Sequence, residues 1–420
     1  MNDTILNKLA ILSESAKYDV SCASSGTSRR SRPGMVGSAS GWGICHSFSD
    51  DGRCVSLLKV MLTNHCIYDC AYCVNRRSND VPRSAFTPDE LVTLTMEFYR
   101  RNYIEGLFLS SGVMKSADYT MERMVEVVRK LRTVHRYNGY IHMKTIPGAS
   151  RELVSEAGRY ADRMSVNVEI ARETNLRLLA PEKDHRSVFE PMSVIGQGVL
   201  ASAEERRRFR NAPRFAPAGQ STQVIVGATS ESDKEILTLS GALYGKATMK
   251  RVYYSGYVPV NSYDNRLPAL KQPPLVRENR LYQADWLLRF YGFTVPEIVD
   301  DAYPDLDLEI DPKLAWALRH PEAFPVDVNK ADYEIILRIP GIGVKSAQLI
   351  ISSRRHGRIT SAILKKMGVV MKKAQYFITC GELPLGGSVA DVRPEYVRRV
   401  LTQRKGIKNS PDQLSLFPEG

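Results

Sequence analysis

The sequence predicts an α/β fold: a parallel sheet curled into a full or partial (β/α) barrel of about six strand–helix repeats, followed by a C-terminal all-α domain. Three observations predict it. Apolar strand-like runs alternate with amphipathic stretches over residues 57–260, as in a parallel sheet joined by crossover helices. Strand signals then stop where Pro259, Pro268, Pro273 and Pro274 punctuate the chain. Positive charge is concentrated beyond that point. Residues 328–408 hold 16 Lys/Arg against 5 Asp/Glu, almost the whole of the net +12 carried by 420 residues.

Five segments follow: an N-terminal extension or lid (1–54), a barrel (55–260), a linker and helical region (261–325), a basic helical domain (326–384) and a mobile basic tail (385–420). The extension opens with a helix (Ile5, Leu6, Leu9, Ile11, Leu12) and passes into Ser/Gly/Arg-rich loop sequence at 24–40. Ser56-Leu57-Leu58-Lys59-Val60-Met61-Leu62 reads as the first buried strand. Thr87-Pro88-Asp89-Glu90 starts a helix, with a cap, a first-turn proline and two acids at the positive dipole end. Gly106-Leu107-Phe108-Leu109 is a strand ending in the turn Ser110-Ser111-Gly112. Further pairs are helix 121–131, strand 140–144, helix 151–158, strand 163–169, helix 174–179, strand 222–226, helix 231–244 and strand 251–254. The linker region carries a helix with Trp286, Leu287 and Phe290, then an acidic run from Asp300 to Asp311.

Apolar and aromatic content is that of a globular protein, which excludes wholesale disorder. No apolar run reaches the length of a membrane span. The N-terminus has no basic stretch followed by an apolar signal core. Seven cysteines, three of them clustered, fit a reducing cytoplasm better than a disulfide scaffold.

The cluster is Cys66-Ile67-Tyr68-Asp69-Cys70-Ala71-Tyr72-Cys73, directly after the first strand. Structural zinc takes four ligands, often as two separated pairs. Iron–sulfur cubanes are held by cysteines at short spacings. Three thiolates on a cubane leave one iron without a protein ligand, free to bind a small molecule. The spacing C-x3-C-x2-C, with Tyr72 before the last cysteine, resembles the radical S-adenosylmethionine (SAM) family. The resemblance implies a 4Fe–4S cluster on Cys66, Cys70 and Cys73 whose open iron takes the amino and carboxylate groups of S-adenosylmethionine. An electron donor then drives its cleavage to a 5′-deoxyadenosyl radical. Ser110, Ser111 and Gly112 occupy the place of the family's Gly-Gly-Glu turn, departing from it by two serines and by Val113 in place of the acid. Val226 and Gly227 resemble the late strand-plus-Gly motif beside adenine, and Asn167 and Glu169 are placed to reach ribose hydroxyls or the carboxylate. Glu231 has an equally good reading as a helix cap. Cys22, Cys45, Cys54 and Cys380 are candidates for a second metal site, although their spacings match no template and buried thiols explain them as well.

In the basic domain, Pro340-Gly341-Ile342-Gly343-Val344-Lys345-Ser346 makes a hairpin between helices, its glycines allowing positive φ or close approach. The following helix starts with free N–H groups and Lys345 beside them, a site for one phosphate. This resembles the helix-hairpin-helix motif, which implies non-sequence-specific contact with the DNA backbone. A weaker copy, Gly368-Val369-Val370-Met371-Lys372, recurs 27 residues on, with Val370 in place of a glycine. In the tail, Gln413-Leu414-Ser415-Leu416-Phe417 matches the motif that docks bacterial replication and repair proteins on the DNA sliding clamp, with Leu416 and Phe417 filling an apolar pocket.

The order of these segments resembles the DNA modification or repair subfamily of radical SAM proteins. That resemblance implies a uracil-DNA-glycosylase-like partner and radical chemistry on a DNA base or sugar. Two rivals stand beside it: an RNA-modifying radical SAM enzyme, and a clamp-recruited DNA-binding adaptor whose cluster is structural or redox-sensing.

Overall fold

The computed structural model describes residues 3–17, 44–48, 54–246, 248–380 and 393–403. Cys22, the side chain of Cys54 and the clamp-like pentapeptide 413–417 lie outside the described residues. Packing divides the chain into two compact units, one of residues 1–231 and 238–278, the other of 232–237 and 279–420.

The first unit is built on a seven-stranded sheet in sequential order: β1 (Ile44–Phe48), β2 (Cys54–Met61), β3 (Gly106–Ser110), β4 (Tyr140–Lys144), β5 (Arg163–Ser165), β6 (Gln220–Val226) and β7 (Met249–Gly256). β1 runs antiparallel to β2 and every later pair is parallel. β7 does not pair back to the first strands, so the sheet is an open, partial barrel. Parallel strands need crossovers, supplied by α2 (Pro88–Arg100), α3 (Ala117–Thr133), α4 (Arg151–Tyr160), α5 (Glu173–Leu179), α6 (His185–Arg208) and α7 (Asp233–Lys246). α1 (Asp3–Ala16), from the extension, buries Leu9, Leu12 and Ala16.

Local chemistry explains most boundaries. Thr87 and Glu90 form a reciprocal capping box at α2, with Pro88 in its first turn. Two sequence expectations change. The strand expected over 163–169 keeps ladder pairing only to Ser165, because the Thr222 hydroxyl takes the Val168 N–H (3.0 Å). Pairing resumes as a single bridge between Glu169 and Val224. The 24-residue α6 was not expected, since Pro191, Gly196 and Gly198 interrupt its sequence. Gly198 and Gly158 are required by Phe215, whose ring packs where a Cβ on either would stand. The Tyr253, Tyr254 and Tyr257 stretch is packing, each ring less than a tenth exposed.

The second unit contains α8 (Leu275–Phe290, from Asn279 on), α9 (Val295–Ile298), α10 (Pro312–Arg319) and a short 3-10 turn. It continues with β8 (Val326–Asp327), α11 (Tyr333–Arg338), α12 (Val344–Ser353), α13 (Ser361–Lys366), α14 (Met371–Ala374), β9 (Ile378–Thr379) and α15 (Pro394–Gln403). It is not purely helical, because β8 and β9 pair in parallel. α11–α12 and α13–α14 are helical hairpins. Their turn glycines, Gly341 and Gly368, have φ of +89° and +80°. The hairpins meet where the Val370 N–H donates to the Gly341 carbonyl (2.9 Å) and Ser346 Oγ to the Met367 carbonyl (2.8 Å). α15 lies within the segment read as a mobile tail, with Val397 fully buried and Arg398 bonded to Asp307 and Glu309.

Lys313 of α10 is a buried cation in this unit. Its ammonium donates to the Leu337 and Ile342 carbonyls at 2.6 Å each and stands 4.7 Å from the Tyr291 ring centre. Burial pushes its pKa down to about 7, against an ordinary lysine value of 10.5. Between those values the folded unit binds fewer protons than the unfolded chain, so its stability rises as pH increases from about 7 to about 10. Lys313→Met should flatten that rise. By leaving the two carbonyls unpaired, it should also cost about 2–4 kcal/mol; denaturant unfolding at pH 6 and pH 9.5 measures both.

Candidate functional site

β2 delivers the chain into the cysteine loop at the C-terminal ends of the strands, where a parallel barrel gathers its reactive groups. The loop is tied from several sides. The Ile67 N–H donates to the Val113 carbonyl (2.8 Å) and the Ala71 N–H to the Leu179 carbonyl (2.7 Å). Asn261 Nδ2 donates to the carbonyls of Ala71 (2.6 Å) and Cys73 (3.0 Å). The Arg83 guanidinium spans the carbonyls of Asn64, Asn75, Arg76 and Asn79. Arg76 pairs with Asp264 at 2.6 Å, which with Arg266 holds that carboxyl far below the usual carboxylate range. Gly112 admits the loop: a Cβ there would stand 2.5 Å from the His65 carbonyl oxygen and 3.3 Å from Cys66 Cβ.

Cys66, Cys70 and Cys73 all line one cavity, together with Tyr72, Ser111, Gly112, Asn167 and Glu169. The sequence-predicted residues therefore converge, with exceptions. Ser110 and Val226 are fully buried and Gly227, at φ +82°, packs on Pro274; none of the three lines the cavity. Ser111 Oγ bonds to the Gly112 carbonyl (2.7 Å). Glu231 accepts from Asn175 Nδ2 (2.9 Å) and from the Thr229 hydroxyl.

Lys183 carries no motif in the sequence, yet its ammonium lies 2.8 Å from Glu169 Oε2, and the Tyr72 hydroxyl donates to the same oxygen. Burial would lower the Lys183 pKa, but the Cys70 sulfur and the Glu169 carboxylate beside it overcome burial and the net shift is upward. Burial likewise would raise the Glu169 pKa, and Lys183 and Lys144 pull it below the ordinary value. Glu169 also sits at φ +65°, a left-handed conformation rare outside glycine.

Burial pushes the thiol of Cys70 up to about 12 and that of Cys73 to about 11. They need a strong cation to become thiolates, and metal coordination deprotonates a thiol outright. Among the described residues no three His, Cys, Asp or Glu side chains are arranged to hold a single metal ion; Cys22 and the side chain of Cys54, two candidates for the second site, lie outside those residues. A cubane differs in taking each thiolate on a separate iron, and three loop thiols facing one cavity fit that donor set. Thr145 and Tyr257 line the same cavity, and their buried hydroxyls have no hydrogen-bond partner among the described residues.

Residues 60–239 match the family model of the radical SAM superfamily. Among solved structures, the chain is similar to HydG, a maturase of the FeFe-hydrogenase (13% identity, 83% of this chain and 82% of that one, TM-score 0.37). It is also similar to coproporphyrinogen III oxidase HemN from Escherichia coli, described as a radical SAM enzyme (14%, 61% and 56%, 0.33). A third is HydG from Carboxydothermus hydrogenoformans (14%, 69% and 80%, 0.30). Likenesses this distant carry no argument about substrate. No curated protein matches the chain. The superfamily implies a 4Fe–4S cluster, S-adenosylmethionine and an electron donor. The matched segment contains all three loop cysteines, so the chain carries a radical SAM superfamily domain and the protein is a radical SAM enzyme.

Proposed function

We propose that this enzyme modifies or repairs DNA, acting on a base or sugar. The observation that carries the reading is the hairpin pair of the second unit. Helices α12 and α14 start at Val344 and Met371, each after a turn glycine, with exposed Lys345 and Lys372 one residue inside. Lys365 and Lys366, also exposed, add charge. The start of α12 with Lys345 beside it suits one backbone phosphate, and the exposed Lys372 of the weaker second hairpin adds charge.

The hairpin is less open than its sequence suggests. The Val344 N–H is already bonded to the Tyr291 hydroxyl, and Ile342 and Ser346 face inward. Phosphate contact therefore falls to Lys345 and the next free amides of α12. Lys345→Glu with Lys372→Glu should weaken duplex binding about tenfold or more and reduce the salt slope by about two. Anisotropy titrations with duplex DNA and structured RNA at matched salt check this. Tighter binding of the RNA would make the enzyme an RNA modifier, and binding of neither would remove the reading.

In the first unit, Cys66, Cys70 and Cys73 would hold three irons, with the fourth open to S-adenosylmethionine. The bound cluster and cosubstrate supply the radical chemistry. The chain's own part is positional: Tyr72, Lys183 and Glu169 form a fixed polar wall, Gly112 seats the loop, and Asn167 presents its amide to the cavity. A base inside a duplex must be flipped to reach such a cavity.

A further inference from the structure

At the other end of the sheet, the residues leading into β4, β5 and β6 line an open cleft that the proposed chemistry does not use. Its floor is neutral. Arg132 spends its guanidinium on the carbonyls of Tyr137, Gly139 and Tyr160 and on Asp162, the one acid lining the cleft. Its walls carry three more arginines, Arg136, Arg159 and Arg214, all exposed and none with a partner among the described residues.

The scaffold holds the backbone that carries Arg159 and Arg214. Arg159 and Arg214 flank Gly158 and Phe215, the glycine-and-ring contact that locks α4 to the segment before β6. That segment is further held by Ser202, whose hydroxyl bonds to the Pro213 carbonyl and accepts from the Phe215 N–H. Arg136, in the turn after α3, sits at φ +49°, a left-handed position where glycine is the unstrained choice. An arginine there places a charge at the cleft at a cost in backbone strain. The connection between α6 and β6, which carries Arg214, also exposes Phe209 and Arg210.

We infer that this cleft is an anchoring surface for the phosphate backbone of a nucleic acid, separate from the cysteine cavity. Exposed guanidinium forks along an open groove suit successive phosphates of one strand better than a single enclosed anion. The inference rests on the nucleic-acid reading of the protein, and the test separates the two.

The full chain is titrated with labelled duplex and single-stranded DNA over a salt series, as wild type, Arg136→Gly and the triple variant Arg136→Gly, Arg159→Gln, Arg214→Gln. The triple variant should bind about tenfold to a hundredfold more weakly at 0.15 M salt and lose about three from the salt slope. Arg136→Gly alone should lose about one from the slope while its melting temperature stays the same or rises, since glycine relieves the strain. S-adenosylmethionine cleavage without DNA should be unchanged in both. Wild-type affinity and slope in the triple variant would overturn this inference while leaving the Lys345 and Lys372 result standing. Full displacement of DNA from the cleft by millimolar pyrophosphate, with no salt slope lost in the triple variant, would make it a small-anion site and overturn it too. No binding of wild type to any nucleic acid removes both readings.

Discussion

Cys70→Ala is expected to abolish the cluster and with it all S-adenosylmethionine cleavage, a loss of at least about a thousandfold. Cys70 is the most deeply buried of the three loop cysteines, at 4% exposure. It lies one residue from Ala71, whose N–H and carbonyl are both fixed to neighbouring elements. Movement of the loop to recruit another donor is therefore blocked. Iron per chain and visible absorbance after anaerobic reconstitution give the first readout, and 5′-deoxyadenosine gives the second. Cys45→Ala, on the edge strand β1, should keep wild-type iron. Retention of the cluster by Cys70→Ala would remove that residue from the ligand set.

The second large effect is on stability. Lys183→Met should leave the Glu169 carboxylate buried with only the Tyr72 hydroxyl on that oxygen, at a cost of about 3–5 kcal/mol. Both side chains of the pair are 12% exposed, too little for water to replace the lost ammonium. Combining Lys183→Met with Glu169→Gln should recover much of the loss, because no uncompensated charge then remains. The pair also sets an acid limit. The folded-state pKa of Glu169 is depressed, so its contribution is present above the ordinary carboxyl value of 4.5 and is lost as pH falls through the lower folded value. Denaturant unfolding of apo-protein between pH 7 and pH 3 should show a shallower acid loss in the double variant than in wild type. Equal acid slopes would contradict the pairing.

These two predictions differ in how visible their residues are in the sequence. The cysteines are legible because all three ligands fall on one loop, and spacing within a loop is a sequence property. Lys183, in the turn between α5 and α6, pairs with Glu169 fourteen residues earlier, and only the fold of the intervening chain brings the two together. Asn261 escaped for the same reason, since it binds the carbonyls of Ala71 and Cys73 across a long stretch of chain, and Arg83 escaped because an arginine that gathers nearby carbonyls has no sequence signature. Strand β4 was readable to the residue because five buried or half-buried positions stand alone between polar turns. Helix α6 was obscured by Pro191 and by glycines that serve the Phe215 contact rather than the helix itself. β1 was hidden in Ser/Gly-rich surroundings, where pairing to β2 rather than composition makes it a strand. The first hairpin is legible in its Pro-Gly-Ile-Gly turn and the second as a weaker copy 27 residues on, whereas the inward turn of Ile342 and Ser346 comes from the packing of the hairpins against each other.

Everything said of chemistry here depends on whether the three loop thiols leave one iron open to a sulfonium cosubstrate. Wild-type protein, reconstituted without air, is reduced with dithionite in the presence of S-adenosylmethionine, and 5′-deoxyadenosine is quantified by mass spectrometry. The expected result is product that requires the reductant and disappears in Cys70→Ala. Full cluster occupancy with no 5′-deoxyadenosine, with or without added DNA, would contradict the account.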